Sequence, residues 1–292
     1  MFIKKYKLLI VYELLSYNLD ICFYFKKIIL ISMMDILYIK DIKKNLLESY
    51  KNFDIKIFDS ITSTNDFAKE LIDTNNFCHG TTIIANSQTK GRGRFSKTFY
   101  SPKNTGIYFS TILNISLKIQ EISLITIISA ISVCNTISKL YKLNPKIKWI
   151  NDIYLNDKKV CGILVENIIG NYKNLVSKAI IVGIGINIST NIFPEEIKNK
   201  ATSIMSSAIS RNIVISELIN NIFNLLKNIY DKKIIEEYKK LSFVLNKKIS
   251  YIKNGEKFFA KAIDINQYGN LIIEDNNNNI LTLDCNEISI EL

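Results

Sequence analysis

The amino-acid sequence predicts an α+β protein in which short strands pair into one sheet, helices cover a face of that sheet, and a small β-barrel follows. Three observations carry this expectation. The apolar residues from Ile122 to Leu143 form a dense run too long for a strand and right for a buried helix. Short apolar runs on either side of it are bounded by turn residues. After about residue 245 the chain changes to closely spaced short strands.

Taken in order, residues 1–34 are apolar but interrupted by Lys4, Lys5, Lys7, Glu13, Asp20, Lys26 and Lys27. No uncharged stretch there approaches the ~18 residues a membrane span needs, and no small-residue cleavage site follows an apolar segment. Met33 and Met34 come next, so an upstream extension or a mis-assigned start competes with a true N-terminal helix. Ile36, Leu37, Ile39, Ile42, Leu46 and Leu47 recur at helical spacing, and Lys56-Ile57-Phe58 reads as a strand. Ser63 or Thr64 suits the N-cap of a helix over 65–72. Strands are expected at 81–86 and 106–112, with a polar, glycine-bearing loop between them long enough to be functional. Further strands are expected at 146–149, 160–165 and 178–186, with turns at Asn156-Asp157 and Gly170-Asn171. Residues 195–200 and 214–242 carry helical periodicity. Five strands then follow, with turns at Asn254-Gly255, Tyr268-Gly269 and Asn276 to Asn279. The implied organisation is an N-terminal extension over 1–34, a main domain over 35–244 and a barrel over 245–292.

Composition narrows the function classes. With 292 residues, 48% hydrophobic and 22% charged, the chain can bury a core, which excludes fibrous and disordered classes. The +11 net charge would suit a nucleic-acid or membrane-surface partner, but the lysines occur as scattered pairs with carboxylates between them, and no basic run reaches five residues. Cys22, Cys78, Cys134, Cys161 and Cys285 never form CxxC, so neither a disulfide framework nor a zinc knuckle is indicated, and a reducing, cytoplasmic setting fits.

Two strings concentrate the chemistry. Gln88-Thr89-Lys90-Gly91-Arg92-Gly93-Arg94 reads as an anion-gripping loop: glycines bring backbone amides close to a ligand, and guanidinium forks hold phosphate or carboxylate oxygens. A flexible basic turn or an RGG-like nucleic-acid segment is the alternative. In Lys148-Trp149-Ile150-Asn151-Asp152, strand alternation would send Lys148 and Ile150 to one face and Trp149 and Asn151 to the other, with a following hairpin returning Lys159 and Gly162 to the same place. Gly183-Ile184-Gly185-Ile186-Asn187 lacks the third glycine and the following helix of a dinucleotide fingerprint, and fits a strand end whose glycines admit a ligand to the backbone. His79 is the sole histidine and suits a turn, so a Ser-His-Asp or Cys-His scheme is excluded unless that residue serves it.

Ser63-Thr64-Asn65, Gln88 to Arg94, Lys148 to Glu166, Gly183 to Asn187 and Ala201 to Ile204 occur in one order, with a small barrel behind them. Over residues 56–290 this arrangement resembles the biotin–protein ligase family, which includes biotin–acetyl-CoA-carboxylase ligases and holocarboxylase synthetases. Two positions depart from the family pattern: Phe95 to Phe99 replaces an arginine-rich continuation ending in tryptophan, and Ile150 stands where proline is usual. A third departure is that residues 1–55 hold no helix-turn-helix with its glycine turn, so a monofunctional member without the DNA-binding repressor arm is expected. The resemblance implies a class II aminoacyl-tRNA synthetase-like mixed sheet with an SH3-like barrel. It implies ATP and biotin as substrates with Mg²⁺, biotinyl-5′-AMP as intermediate, and the biotin carboxyl carrier protein of acetyl-CoA carboxylase as acceptor. DNA and membrane are not implied as partners, and a homodimer is compatible. Lipoate–protein ligase, which shares the fold and the adenylate route, and a basic nucleic-acid-binding protein are the alternatives.

By the same resemblance, Ser63, Thr64, Asn65 and Gln88 line the biotin site. Gly91, Arg92, Gly93, Arg94, Lys159, Gly162 and Asn187 complete the biotin and adenylate site, and Arg94, Lys159 and Asp152 are the catalytic candidates. Asp152 would either take a proton from the acceptor lysine or hold its ammonium. No protein metal-ligand set is expected. Residues 1–33 carry none of these strings and should be dispensable: a chain starting at Met34 should ligate biotin at an unchanged rate and melt within a few degrees of the full one, whereas aggregation would make Leu8 to Ile31 a packed helix.

Overall fold

Successive side chains on a strand point to opposite faces, and here that alternation separates two apolar layers on one sheet. A computed structural model describes residues 35–169, 177–206, 208–253, 255–284 and 290–291, and Leu37–Leu292 cluster as one unit. The expectations for residues 1–33, the turn at Gly170-Asn171 and most of the last strand lie outside the described residues.

Strands β1 (Ile55–Phe58), β2 (Thr82–Ala85), β3 (Gly106–Leu113), β4 (Lys146–Lys148), β5 (Asp152–Leu155), β6 (Lys158–Ile169) and β7 (Ser177–Asn187) form a mixed sheet in the order β1-β2-β3-β7-β6-β5-β4. β1 and β2 run parallel, and the other neighbours are antiparallel. A parallel pair needs a crossover, supplied by α2 (Thr64–Asp73), which follows the short α1 (Ile39–Asn45). Ala68, Leu71 and Ile72 of α2 pack on Ile83, Ile112 and Ile181, which form one layer.

The opposite layer is larger. Ile84, Ile107, Phe109, Ile163, Val182, Ile184 and Ile186 meet α3 (Ile122–Tyr141), α4 (Arg211–Leu226) and α5 (Lys232–Leu241). The segment Ile119–Tyr141 is long and apolar enough to cross a membrane, yet it lies mostly buried among β4 to β7, α4 and α5. Its uniform hydrophobicity therefore reflects contact on nearly every side.

Two helical expectations change. Residues 195–200 form turns rather than a helix. The periodicity over 214–242 belongs to two helices: Lys227–Asp231 interrupts it, and the Asp231 carboxylate caps the second by accepting from Lys233 N at 2.9 Å. Apolar spacing persists across such a break, so periodicity alone reads it as continuous.

The C-terminal strands β8 (Lys248–Lys253), β9 (Glu256–Ile265), β10 (Leu271–Asp275), β11 (Ile280–Leu283) and β12 (Ile290–Glu291) form an antiparallel sheet in the order β11-β10-β9-β8-β12. Among the described residues no ladder joins β11 to β12. Ile249, Ala262, Leu271 and Ile273 from this sheet join the core around α3. Ile131, fully buried in α3, is a test of that core: Ile131→Ala should lower the unfolding free energy by about 2–5 kcal/mol in urea titrations, and a loss under ~1 kcal/mol would mean the helix is not packed as described.

Candidate functional site

On β6 and β7 the residues pointing away from α3 include Gly162, Leu164 and Glu166 opposite Gly185, Gly183 and Ile181. Three of these six lack side chains, so the sheet has a bare patch there. Side chains of the protein pack close over these glycines, which also line the cavity described below. A Cβ at Gly183 would strike Asn65 Oδ1, and one at Gly185 would lie 2.5 Å from the Phe99 ring. At Gly162 the nearest atoms are Lys159 Cε and Nζ, both at 3.2 Å, with Phe99 at 3.3 Å. Asn65 therefore covers the Leu164–Gly183 pair, and Phe99 and Lys159 lie side by side over the neighbouring Gly162–Gly185 pair.

The Asn65 end is neutral and polar. Ser63 rather than Thr64 is the N-cap of α2, accepting from Asp66 N at 3.4 Å, which leaves Thr64 and Asn65 in the first turn facing the sheet. Gln88 Oε1 accepts from Thr64 N at 2.8 Å and Thr64 Oγ1 at 3.1 Å, while Gln88 Nε2 donates to Ser101 Oγ at 3.0 Å. Ser110 Oγ lies 2.6 Å from Asn65 Oδ1 and 2.8 Å from Thr64 Oγ1. All these groups are buried or half-buried and mutually bonded, so their orientations are set before anything binds.

Glu166 ties this end to the arginine string. Its carboxylate accepts from Asn65 Nδ2 at 2.8 Å and Lys69 Nζ at 2.8 Å, and pairs with Arg92 Nη2 at 3.0 Å. Burial alone would raise its pKa, but the hydrogen bonds from Lys69 and Asn65 and the charges of Lys69 and Arg92 hold it below the usual glutamate value. Arg92 also meets Asp66 Oδ1 at 2.7 Å. It is thus engaged by two carboxylates, unlike a guanidinium waiting for a phosphate.

The loop over 87–105 contains a hairpin. Arg92 bridges Thr98, Gly93 N donates to Lys97 O at 2.7 Å and Phe99 N to Gly91 O at 2.9 Å. Phe95 and Ser96 both have positive φ, 54° and 58°, with Lys97 N donating to Arg94 O at 3.1 Å, as in a type I′ turn. Arg94 lies at its tip over the Phe95 ring, 4.7 Å from the centroid, and donates to Asn151 Oδ1 at 3.0 Å.

The strand alternation expected from Lys148 to Asn151 does not hold. β4 ends at Lys148, residues 149–151 turn, the Trp149–Ile150 peptide is cis, and Trp149 and Ile150 are both buried. β5 then starts at Asp152, which pairs with Lys159 at 2.7 Å across the β5–β6 hairpin. Tyr154 lies on the same wall, where burial and the Asp152 charge push its phenol up to about 12, so it is a neutral donor at ordinary pH. Asn187 Nδ2 donates to Thr202 O at 3.0 Å and so anchors the segment that carries Ala201 to Ile204.

Together these groups enclose a cavity of about 400 Å³. Ser63, Thr64, Asn65, Gln88, Arg92, Gly93, Arg94, Asp152, Lys159, Gly162 and Asn187 line it. Gly91 does not; it packs instead under Phe99 O and Ser101 Oγ. Sequence reasoning missed Glu166, Asp66, Asn151 and Phe99 as site-forming residues. Glu166 was detectable, since it stands two and four residues beyond Leu164 and Gly162 on the same strand face. Asp66 was not, because its partner lies on a distant hairpin. His79 lies apart, edge-on to Phe223 at 5.3 Å and Phe53 at 6.3 Å, and burial lowers its pKa. Cys161 lies under the sheet, where burial raises its thiol well above the ordinary value and keeps it inert. Among the described residues no group of three His, Cys, Asp or Glu could hold a metal.

Comparison with known proteins agrees with this geometry. The Biotin/lipoate A/B protein ligase family model matches residues 57–187. The bifunctional ligase/repressor BirA of Bacillus subtilis is 33% identical over 75% of this chain and 68% of its own. Biotin–protein ligase 2 of Arabidopsis thaliana is 26% identical over 79% of this chain and 73% of its own. Among solved structures, a biotin protein ligase of Aquifex aeolicus in complex with biotin and ATP superposes with a TM-score of 0.69 at 26% identity, covering 82% of this chain and 98% of that one. The fold and site therefore define a ligase of the class that joins a small carboxylic acid to protein. The chain belongs to the biotin–protein ligase family.

Because the folded-state pKa of Glu166 is depressed, its ionic contribution is full above the unfolded value of about 4.3 and fades as pH falls through the folded value. Glu166→Gln should cost roughly 1–3 kcal/mol at pH 7. That difference should shrink in denaturant titrations below pH ~4; a pH-independent difference would remove charge from the explanation.

Proposed function

We propose that this ligase works in two steps: the biotin carboxylate attacks the α-phosphate of ATP, giving biotinyl-5′-AMP and pyrophosphate, and a carrier-domain lysine then attacks the mixed anhydride and releases AMP. One observation carries the reading. A neutral, pre-bonded polar pocket and a cationic wall share one cavity, with the Phe99 ring on its floor beside Lys159. Ser63, Thr64, Asn65 and Gln88 suit a buried neutral ureido ring, which must find hydrogen-bond partners when it leaves water. Arg94 and Lys159 suit the two anions that must meet, because fixed cations offset both their repulsion and the charge that grows on the phosphoryl oxygens. No covalent enzyme intermediate is required, in keeping with the inert Cys161 and the distant His79.

Asp152 orients Lys159 through their 2.7 Å contact and is our candidate for receiving the acceptor ammonium. Mg²⁺ fits as a counter-ion shared with the nucleotide rather than as a caged metal: Asp152 and Glu196 are carboxylates on the cavity wall, and one or two such groups with substrate phosphates are its usual ligands. There it would neutralise phosphate charge. The acceptor we propose is the biotin carboxyl carrier domain of acetyl-CoA carboxylase, and free, buried Cys134 and Cys161 suit a reducing compartment.

Mass spectrometry of a carrier domain incubated with the protein, ATP, Mg²⁺ and biotin tests the reading. Biotin transfer without lipoate transfer supports it, and lipoate transfer alone overturns it. Within that assay, Lys159→Ala should reduce pyrophosphate release by 10²-fold or more, in the range of lost electrostatic contacts to a transition state. Asp152→Asn should slow transfer roughly tenfold more than adenylation; equal losses in both half-reactions would restrict Asp152 to orienting Lys159.

A further inference from the structure

We infer that Trp149 is a positioning residue of the reacting end of the cavity, held by the backbone of the C-terminal sheet. Its indole N–H donates to Gly269 O at 2.9 Å, in the turn between β9 and β10, and the side chain is buried. That turn is braced independently. Ser123 Oγ at the start of α3 donates to Tyr268 O, and Asn266 Oδ1 accepts from Tyr268 N at 2.9 Å and Asn270 N at 3.0 Å. Gly269 has φ +86°, and a Cβ there would strike Ile127 Cδ1 of α3.

On the catalytic side, residues 149–151 lie outside the strand ladders, between the end of β4 and the start of β5. They are held mainly by hooks from three elements: Trp149 by Gly269, Ile150 O by Tyr238 OH of α5 at 2.9 Å, and Asn151 by Ile163, whose carbonyl takes its Nδ2 at 2.8 Å and whose amide donates to its carbonyl at 3.0 Å. A second tie joins the same elements, since Lys239 of α5 pairs with Asp264 of β9 at 2.6 Å. The held turn leads directly into Asn151, which receives Arg94, and Asp152, which pairs with Lys159. Displacing the indole shifts both contacts at once, and small misplacements of reacting groups reduce turnover much more than binding. The inference rests on the proposed function, because it takes Arg94 and Lys159 as the reacting end.

The test uses the full chain. Trp149→Phe keeps a ring in place and removes the N–H; it should lower kcat for pyrophosphate release about tenfold, with KM for biotin and ATP within about twofold and the melting temperature within a few degrees. Gly269→Ala retains Trp149, the sole tryptophan, so its emission reports the joint directly. Emission should move to longer wavelength as kcat falls, and adding Ile127→Val, which deletes the obstructing methyl, should restore part of both. Unchanged kcat in folded Trp149→Phe, or an emission shift in Gly269→Ala without loss of kcat, would overturn the inference. If Trp149→Phe does not fold, the Gly269→Ala and Ile127→Val pair decides it. Absence of biotin-dependent pyrophosphate release in the unaltered protein would overturn the functional reading instead, while the emission shift still measures the joint.

Discussion

The site depends on a place where the sheet carries no side chains. Gly183 and Gly185 on β7 and Gly162 on β6 leave a shallow floor on the α2 face of the sheet, beside the apolar layer that α2 itself covers. Into that floor fit Asn65 from the start of α2 and Phe99 from the arginine hairpin, with Lys159 beside them. Any Cβ at Gly183 or Gly185 would displace one of these groups, so the elements above the sheet can approach it only because the strands beneath are bare. The opposite face of the same strands is filled by Ile163, Val182, Ile184 and Ile186 against α3, which gives the floor a rigid support.

Electrostatics then divides the basic residues into two roles. Arg92 and Lys69 converge on Glu166, and Arg92 reaches Asp66 as well, so these charges are spent within the protein and clip the hairpin to α2. Lys159 is matched by the single carboxylate of Asp152, and Arg94 meets the neutral amide of Asn151. Arg94 and Lys159 both lie on the cavity wall. A half-buried carboxylate carrying several donors is costly to leave unpaired, which makes the Glu166 cluster an all-or-none arrangement.

The turn from Trp149 to Asn151 joins these features to the second sheet. It belongs to no ladder, and its geometry comes from the Gly269 carbonyl, the Tyr238 hydroxyl and the Ile163 backbone. The C-terminal sheet shares the core around α3, so its β9–β10 turn sits on the same packed foundation as the catalytic strands.

Much of this was legible in the amino-acid sequence. The buried helix α3, strands β2, β3, β6 and β7, the C-terminal strands and the strings that line the cavity all follow from short-range pattern, because periodicity and turn chemistry act over a few residues. The resemblance placed Ser63, Thr64, Asn65, Gln88, Arg94, Asp152 and Lys159 in one site, and the cavity does bring them together. Tertiary structure alone decided what each residue faces. The break between α4 and α5, the turn that buries both Trp149 and Ile150, the side chains covering Gly183 and Gly185, and the commitment of Arg92 to Asp66 and Glu166 were not legible in the same way. Each depends on partners 26 to 120 positions away, or on a cap that apolar spacing does not reveal. Local pattern specifies which residues form a strand or helix, but the partner of a side chain is set by packing between elements that the chain brings together only on folding.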